Sequence, residues 1–193
     1  MRVAIFASGN GTNFEVLAKH FQSKQIPGTL ALLFCDHPDA PVVQRAHRLG
    51  VPVVTFTVKE CGGKQAYEER IATVLADYQI DFIALAGYMR VIGAPILTRY
   101  EGRIINLHPA MLPDYQGLHA IERSFADRSP RSGVTLHYID AGLDTGPIIR
   151  QEHVPVQDDD TEETFEQRIH ACEHRLYPQV LAQVLATKMK EDD

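Results

Sequence analysis

The run Val3-Ala4-Ile5-Phe6, followed by Ser8-Gly9-Asn10-Gly11-Thr12-Asn13, decides the fold. An unbroken apolar run reads as a buried strand, the glycines as a tight turn, and the amphipathic stretch over 12–24 as a helix. The same rhythm recurs downstream. Leu30 to Phe34, Val51 to Phe56, Phe82 to Ala86 and Arg103 to Asn106 read as further strands, with helical stretches near 41–49, 64–78 and 93–100. Strands that are apolar throughout are buried on both faces, as in a parallel sheet covered by helices. The expectation is one α/β domain, Rossmann-like, with a mostly parallel twisted sheet flanked by helices.

After residue 107 the pattern changes. Asn106 to Gly117, punctuated by Pro109 and Pro113, reads as a structured loop; a helix near 118–127 and strands near 133–139 and 147–154 follow. The last helix is expected from about Thr161 to Lys188, capped by Asp160 with Glu163 completing a capping box, and kinked at Pro178. No repeat, low-complexity tract or linker divides the chain.

At 193 residues and 45% hydrophobic content the chain can bury a full core, roughly 70% of its unfolded surface. Cys35, Cys61 and Cys172 are odd in number, widely spaced and outside any C-x-x-C pattern, which reads as a reduced, cytoplasmic protein. No apolar run reaches the roughly 20 residues of a membrane span, and Met1-Arg2 leads straight into the first strand without a signal layout. The net charge of −6 argues against a nucleic-acid partner but not against a small anion in one pocket. Monomer and homodimer both stay open.

In the glycine loop, backbone N–H groups at a helix start suit a single phosphate. The plainer alternative is a tight turn with Thr12 or Asn13 capping the helix. A dinucleotide fingerprint would need glycine where Phe14 stands, and a P-loop would need Gly-Lys-Ser/Thr; Asp36 alone is a weak sign of a ribose-binding acid. Asn106 and His108 are two apart at a predicted strand end and so share a face, where they suit a carbonyl oxygen gaining negative charge. Asp140 and Asp144 lie in a glycine-rich turn, and an Asp beside a His would stabilise its charged form. Taken singly, a structural histidine and ordinary turn aspartates are the better explanation of these residues.

Five blocks in order resemble the folate-dependent formyltransferase family. They are Ser8 to Asn13, Leu85-Ala86-Gly87-Tyr88-Met89-Arg90, Asn106-Leu107-His108-Pro109, Leu112-Pro113, and Leu143-Asp144-Thr145-Gly146-Pro147, and the likeness extends through Glu173-His174-Arg175-Leu176-Tyr177-Pro178. The resemblance implies formyl transfer from 10-formyltetrahydrofolate to the amine of glycinamide ribonucleotide, in purine synthesis and without a metal. It implies Asn106, His108 and Asp144 as the catalytic trio. It places the acceptor on Gly11, Thr12, Asn13, His170 and Glu173, and the folate on Lys64, Met89, Arg90, Val91, Ile92, Asn106 and Asp140. Residues 1–105 then form a phosphate-binding half and 106–193 a catalytic and folate-binding half. Lys64 departs from a common arginine, His170 from a glutamine, Asp114 from a basic residue and Ala110 from a serine.

Rival readings are a formyltetrahydrofolate hydrolase, a methionyl-tRNA formyltransferase and a non-catalytic nucleotide-binding module. The first two are expected to carry an extra domain, and the charge suits tRNA poorly; the third need not keep the trio. His170 and His174, four apart, have zinc-like spacing but no third ligand. Ser8 lies in no nucleophile elbow. Cys61 reads as a loop thiol, His137 as a packed strand histidine that could face the site, and Asp158 to Asp160 with Glu162 and Glu163 as a solvated helix start.

Overall fold

The computed structural model describes residues 1–192. Its elements are β1 (Arg2–Ala7), α1 (Thr12–Gln22), β2 (Thr29–Cys35), α2 (Pro41–Arg48), β3 (Val53–Thr55), α3 (Lys64–Asp77), β4 (Phe82–Leu85), α4 (Ala94–Leu97), β5 (Ile104–His108), α5 (Ala120–Ala126), β6 (Gly133–Tyr138), β7 (Ile148–His153) and α6 (Glu162–Asp192). The strands form a single sheet in the order β3-β2-β1-β4-β5-β6-β7. The first five are mutually parallel; β6 and β7 run antiparallel. The expected α/β class and mostly parallel sheet are both observed.

Alternation along the strands divides the core between the two faces of the sheet. Val3, Ile5, Leu33, Ala84 and Ile105 join a cluster with Phe14, Leu17, Val42, Phe165, Leu176 and Leu181 from α1, α2 and α6. Their neighbours Ala4, Phe6, Phe34, Ile83 and Ile104 join Tyr67, Ile71, Leu75 and Ile96 from α3 and α4. β1, β2, β4 and β5 are therefore buried on both sides, which is why their sequences are mostly apolar. The second layer holds an aromatic group in which Phe34 lies 5.0 Å from both Phe6 and Phe56 and 6.0 Å from Tyr67, in tilted pairs.

The boundaries differ from expectation in three places. The third strand shortens to Val53–Thr55, and the Pro52 carbonyl ahead of it accepts the Leu33 N–H at 2.8 Å. The helix expected over 93–100 is one turn, Ala94–Leu97. The last helix starts later and runs on past Lys188, with Pro178 inside it.

Its cap is also a different residue. Thr161 Oγ1 accepts the Thr164 N–H at 3.2 Å, and Thr164 Oγ1 accepts the Thr161 N–H at 2.9 Å. This is a reciprocal capping box built from two threonines. Asp160 instead accepts the Gln157 N–H at 2.8 Å and pairs with Arg168. A carboxylate one residue too early is drawn to that loop, leaving the hydroxyl at the true first turn to cap. Among the described residues no helix is long and apolar enough to cross a membrane.

Thr161→Ala should cost about 1 kcal/mol of stability in thermal or denaturant unfolding. Glu163→Ala should cost almost nothing. The reverse order would return the cap to the Asp160 and Glu163 pair.

Candidate active site

A cleft of about 650 Å³ opens along the carboxyl ends of the central strands. At its centre stand Asn106 and His108, both on β5. Asn106 pairs across to His137 on β6 and His108 to Thr135, so all four side chains share one face. Thr135 Oγ1 donates to the Ala110 carbonyl at 2.6 Å and accepts the Leu112 N–H at 3.1 Å. Gln151 Nε2 donates to Thr135 Oγ1 and to the Leu112 carbonyl, both at 2.9 Å. The loop leaving β5 is thus pinned where it begins.

His108 is buried, and its Nε2–H donates to the Tyr115 carbonyl at 2.9 Å. Arg123 Nη2 holds the Tyr115 and Gln116 carbonyls at 2.9 and 2.7 Å. The other ring nitrogen, Nδ1, lies 3.5 Å from Asp144 Oδ2. Asp144 Oδ2 also accepts the Gly117 N–H at 2.8 Å, and its backbone sits at φ 54°, left-handed and strained for a residue with a Cβ.

His137 is fully buried, and its Nδ1–H donates to the Tyr138 carbonyl at 2.9 Å. Burial lowers its pKa, so Nε2 keeps a lone pair and accepts one Asn106 amide N–H at 3.3 Å. Among the described residues the amide has no second hydrogen-bond partner, and Asn106 lines the cleft. His137 therefore packs and hydrogen-bonds as a structural histidine would, and faces the site as well.

At one end of the cleft lies α1, whose N-cap, Gly11, is left-handed at φ 78° and makes no side-chain cap bond. Asn13 Oδ1 is buried without a hydrogen-bond partner, so it does not cap the first turn. Asn13 Nδ2 donates to Glu173 Oε2 at 3.0 Å, and the same oxygen lies 2.8 Å from His170 Nδ1. Asn13, His170 and Glu173 line the cleft; Gly11 and Thr12 lie just beside it on the chain. His170 and His174 stack at 6.4 Å, but the His170 nitrogens face Glu173 and Glu166 rather than a shared point with His174. Among the described residues no group of three or more His, Cys, Asp or Glu side chains could hold a metal ion.

The other end is apolar. Met89, Val91, Leu118 and Leu143 stand 65%, 50%, 65% and 54% exposed, yet all four line the cleft. Ile92 lines it from the buried side. Asp140 lies in the wall, with Oδ1 accepting the Gly142 N–H at 3.0 Å and the Thr145 hydroxyl at 2.7 Å, so its carboxylate shapes the loop. Lys64 is not among the lining residues; its amine is exposed at the start of α3, 3.9 Å from Glu68. Asp36 is 1% exposed and bound to Ser8 and Arg90, which excludes it as a ribose ligand. The carbonyl clamp on His108 and the lining from Leu118 to Glu122 carried no recognisable sequence signal.

Residues 1–181 match the family described as Formyl transferase. Phosphoribosylglycinamide formyltransferase of Bacillus subtilis is 44% identical over 184 residues, 95% of this chain and 94% of that protein. The trifunctional purine biosynthetic protein adenosine-3 of Drosophila melanogaster is 36% identical over 186 residues, 95% of this chain and 14% of that much longer protein. The crystal structure of phosphoribosylglycinamide formyltransferase from Bacillus halodurans superposes with a TM-score of 0.93 at 48% identity, covering 96% of this chain and 95% of that one.

A Cβ at Gly11 would stand 2.3 Å from Val42 Cγ2, as well as forcing a left-handed backbone. Gly11→Ala should therefore cost more than the about 1–2 kcal/mol of backbone strain alone. In a double-mutant cycle read by thermal melting, Val42→Ala should return only the part of the clash owed to Cγ2, because the residue 42 Cβ stays 2.5 Å away. Simple additivity of the two substitutions would remove Val42 Cγ2 as a cause.

Proposed function

The chain belongs to the formyl transferase family, and we propose that it moves the formyl group of 10-formyltetrahydrofolate onto the amine of glycinamide ribonucleotide. The observation that supports this reading is that Asn106, His108 and Asp144 line one cleft together with Asn13, His170 and Glu173 and with exposed apolar side chains. One end offers free helix N–H groups and an imidazole, which suit a phosphate. The other offers exposed apolar side chains in a concave wall, which suit a flat heteroaromatic ring.

The acceptor amine attacks the formyl carbon directly. As the C–N bond forms, the formyl oxygen becomes negative, and the free Asn106 N–H donates to it. With Nε2–H committed to the Tyr115 carbonyl, only the protonated His108 ring presents a proton on Nδ1, where Asp144 stands. That positive ring offsets the oxyanion and helps carry the proton lost by the amine to the folate nitrogen that leaves. No covalent intermediate with the protein and no metal is needed; the residues align two substrates and stabilise charge.

Residues 1–105 bring the glycine loop and the Met89 to Ile92 wall, and residues 106–193 bring the trio, the Asp140 loop and the acceptor side of α6. Three free thiols and small-molecule substrates fit a cytoplasmic enzyme without nucleic-acid or membrane partners.

Loss of formyl from 10-formyltetrahydrofolate should be fast with glycinamide ribonucleotide and negligible with water alone or a tRNA-borne methionine. Equal rates without an amine acceptor would make the protein a hydrolase. Asn106→Ala should lower kcat about 10²–10³-fold with little change in either KM.

Phosphate affinity should depend on pH through His170. The hydrogen bond that His170 donates to Glu173, with help from Glu166, raises the His170 pKa above its ordinary value. Its positive charge therefore persists past the usual histidine range and is lost as pH rises through the raised pKa. Acceptor KM should rise over that interval, and His170→Gln should flatten the rise relative to wild type. An unchanged profile in His170→Gln would place the ring outside the phosphate contact.

A further inference from the structure

Asp36 follows β2 directly and is buried, although the chemistry above gives it nothing to do. Its Oδ1 accepts the Ser8 hydroxyl at 2.6 Å, and its Oδ2 accepts Arg90 Nε–H at 2.6 Å, with His37 Nε2 3.4 Å away. Ser8 Oγ in turn accepts the Met89 N–H at 3.0 Å, and the Ser8 N–H donates to the Gly87 carbonyl at 3.0 Å. One carboxylate thus joins the start of the glycine loop, the end of β2 and the segment whose residues form the folate wall. The Arg90 guanidinium lies 5.8 Å from the Tyr67 ring, and Tyr67 and Tyr88 share a hydroxyl contact at 2.8 Å.

We propose that Asp36 is a positioning residue for the formyl donor: through Arg90 and Ser8 it fixes the Tyr88 to Ile92 wall against the glycine loop. The inference rests on the reading of that wall as the folate side. A desolvated carboxylate with one charged partner cannot release it cheaply, because an unpaired buried charge is far costlier than the pair is stabilising. The wall consequently keeps its shape before any ligand arrives. Arg90 acts on the donor by holding its own backbone in place, with its Nε–H committed to Asp36, while Ser8 holds that of Met89.

The two partners differ in exposure, and this makes the test directional. The Arg90 side chain is 40% exposed and that of Asp36 only 1%. Removing the arginine strands a buried charge, whereas removing the carboxylate leaves a guanidinium that water can reach. Arg90→Gln should therefore raise donor KM more than Asp36→Asn does, with the latter raising it roughly tenfold. The double variant Asp36→Asn, Arg90→Gln should bind donor better than Arg90→Gln alone. In Asp36→Asn, kcat and acceptor KM should stay near wild type.

The experiment measures both KM values and kcat for wild type and the three variants below their melting temperatures. Titration with 5,8-dideazafolate, which carries no formyl group to transfer, accompanies it. Donor KM and analogue affinity unchanged in folded Asp36→Asn, or equal losses for donor and acceptor, would overturn the inference. So would a double variant no better than Arg90→Gln. If Asp36→Asn does not fold, Arg90→Gln against the double variant decides by the same comparison. Wild type that fails to deformylate the folate sinks the functional reading instead, so the two failures are distinct.

Discussion

Everything at the active site depends on the change of strand direction at β5. On one side β5 pairs parallel with β4, and on the other it pairs antiparallel with β6. Parallel neighbours bring their carboxyl ends to one edge of the sheet, where glycine loops and helix starts collect. An antiparallel neighbour sets complementary side chains directly opposite one another. Asn106 needs both arrangements. The parallel side puts it at the mouth of the cleft, and the antiparallel side supplies His137 to orient its amide. With β6 parallel, that register of Asn106 on His137 and His108 on Thr135 would not exist.

Burial gives the two histidines of this register different tasks. His137 is enclosed, holds its own Tyr138 carbonyl and is kept neutral by desolvation. Its lone pair is therefore available to a neighbouring amide. His108 touches a carboxylate on one side and a clamped carbonyl on the other, partners that only N–H groups satisfy. Asp144 stands beside both rings, with Oδ2 3.5 Å from His108 Nδ1 and Oδ1 3.6 Å from His137 Nε2, so what separates the two is the main-chain carbonyl each ring holds and the depth of its burial.

The strands were legible from residues 3–6 onward because burial on both faces demands apolar runs, a demand visible in any single sequence. The glycine loop was legible for a similar reason, since only certain residues turn so tightly. Asn106, His108 and Asp144 were a weak constellation on spacing and became specific only through five family blocks in order. What stayed hidden was set by competition among near-equal groups. Asp160 and Thr161 both cap helices well, and a two-residue loop contact decided between them. The clamp on His108 uses a main-chain carbonyl, which every residue has. Asp36 resembled a ligand-binding acid because sequence shows a carboxylate but not the arginine 54 positions away that occupies it.

The left-handed backbone at Asp144 has a consequence for how such a protein changes over generations. A φ of 54° suits glycine best, and suits asparagine and aspartate better than other residues with a Cβ. Glycine there would relieve the backbone but release the Gly117 N–H that the Asp144 carboxylate accepts. Under the proposed mechanism, a lineage that no longer needed the reaction is free to exchange that one contact for an unstrained backbone while its sheet and core persist. Glycine at this position would then be the early sign of a descendant that keeps the fold as a binding module alone.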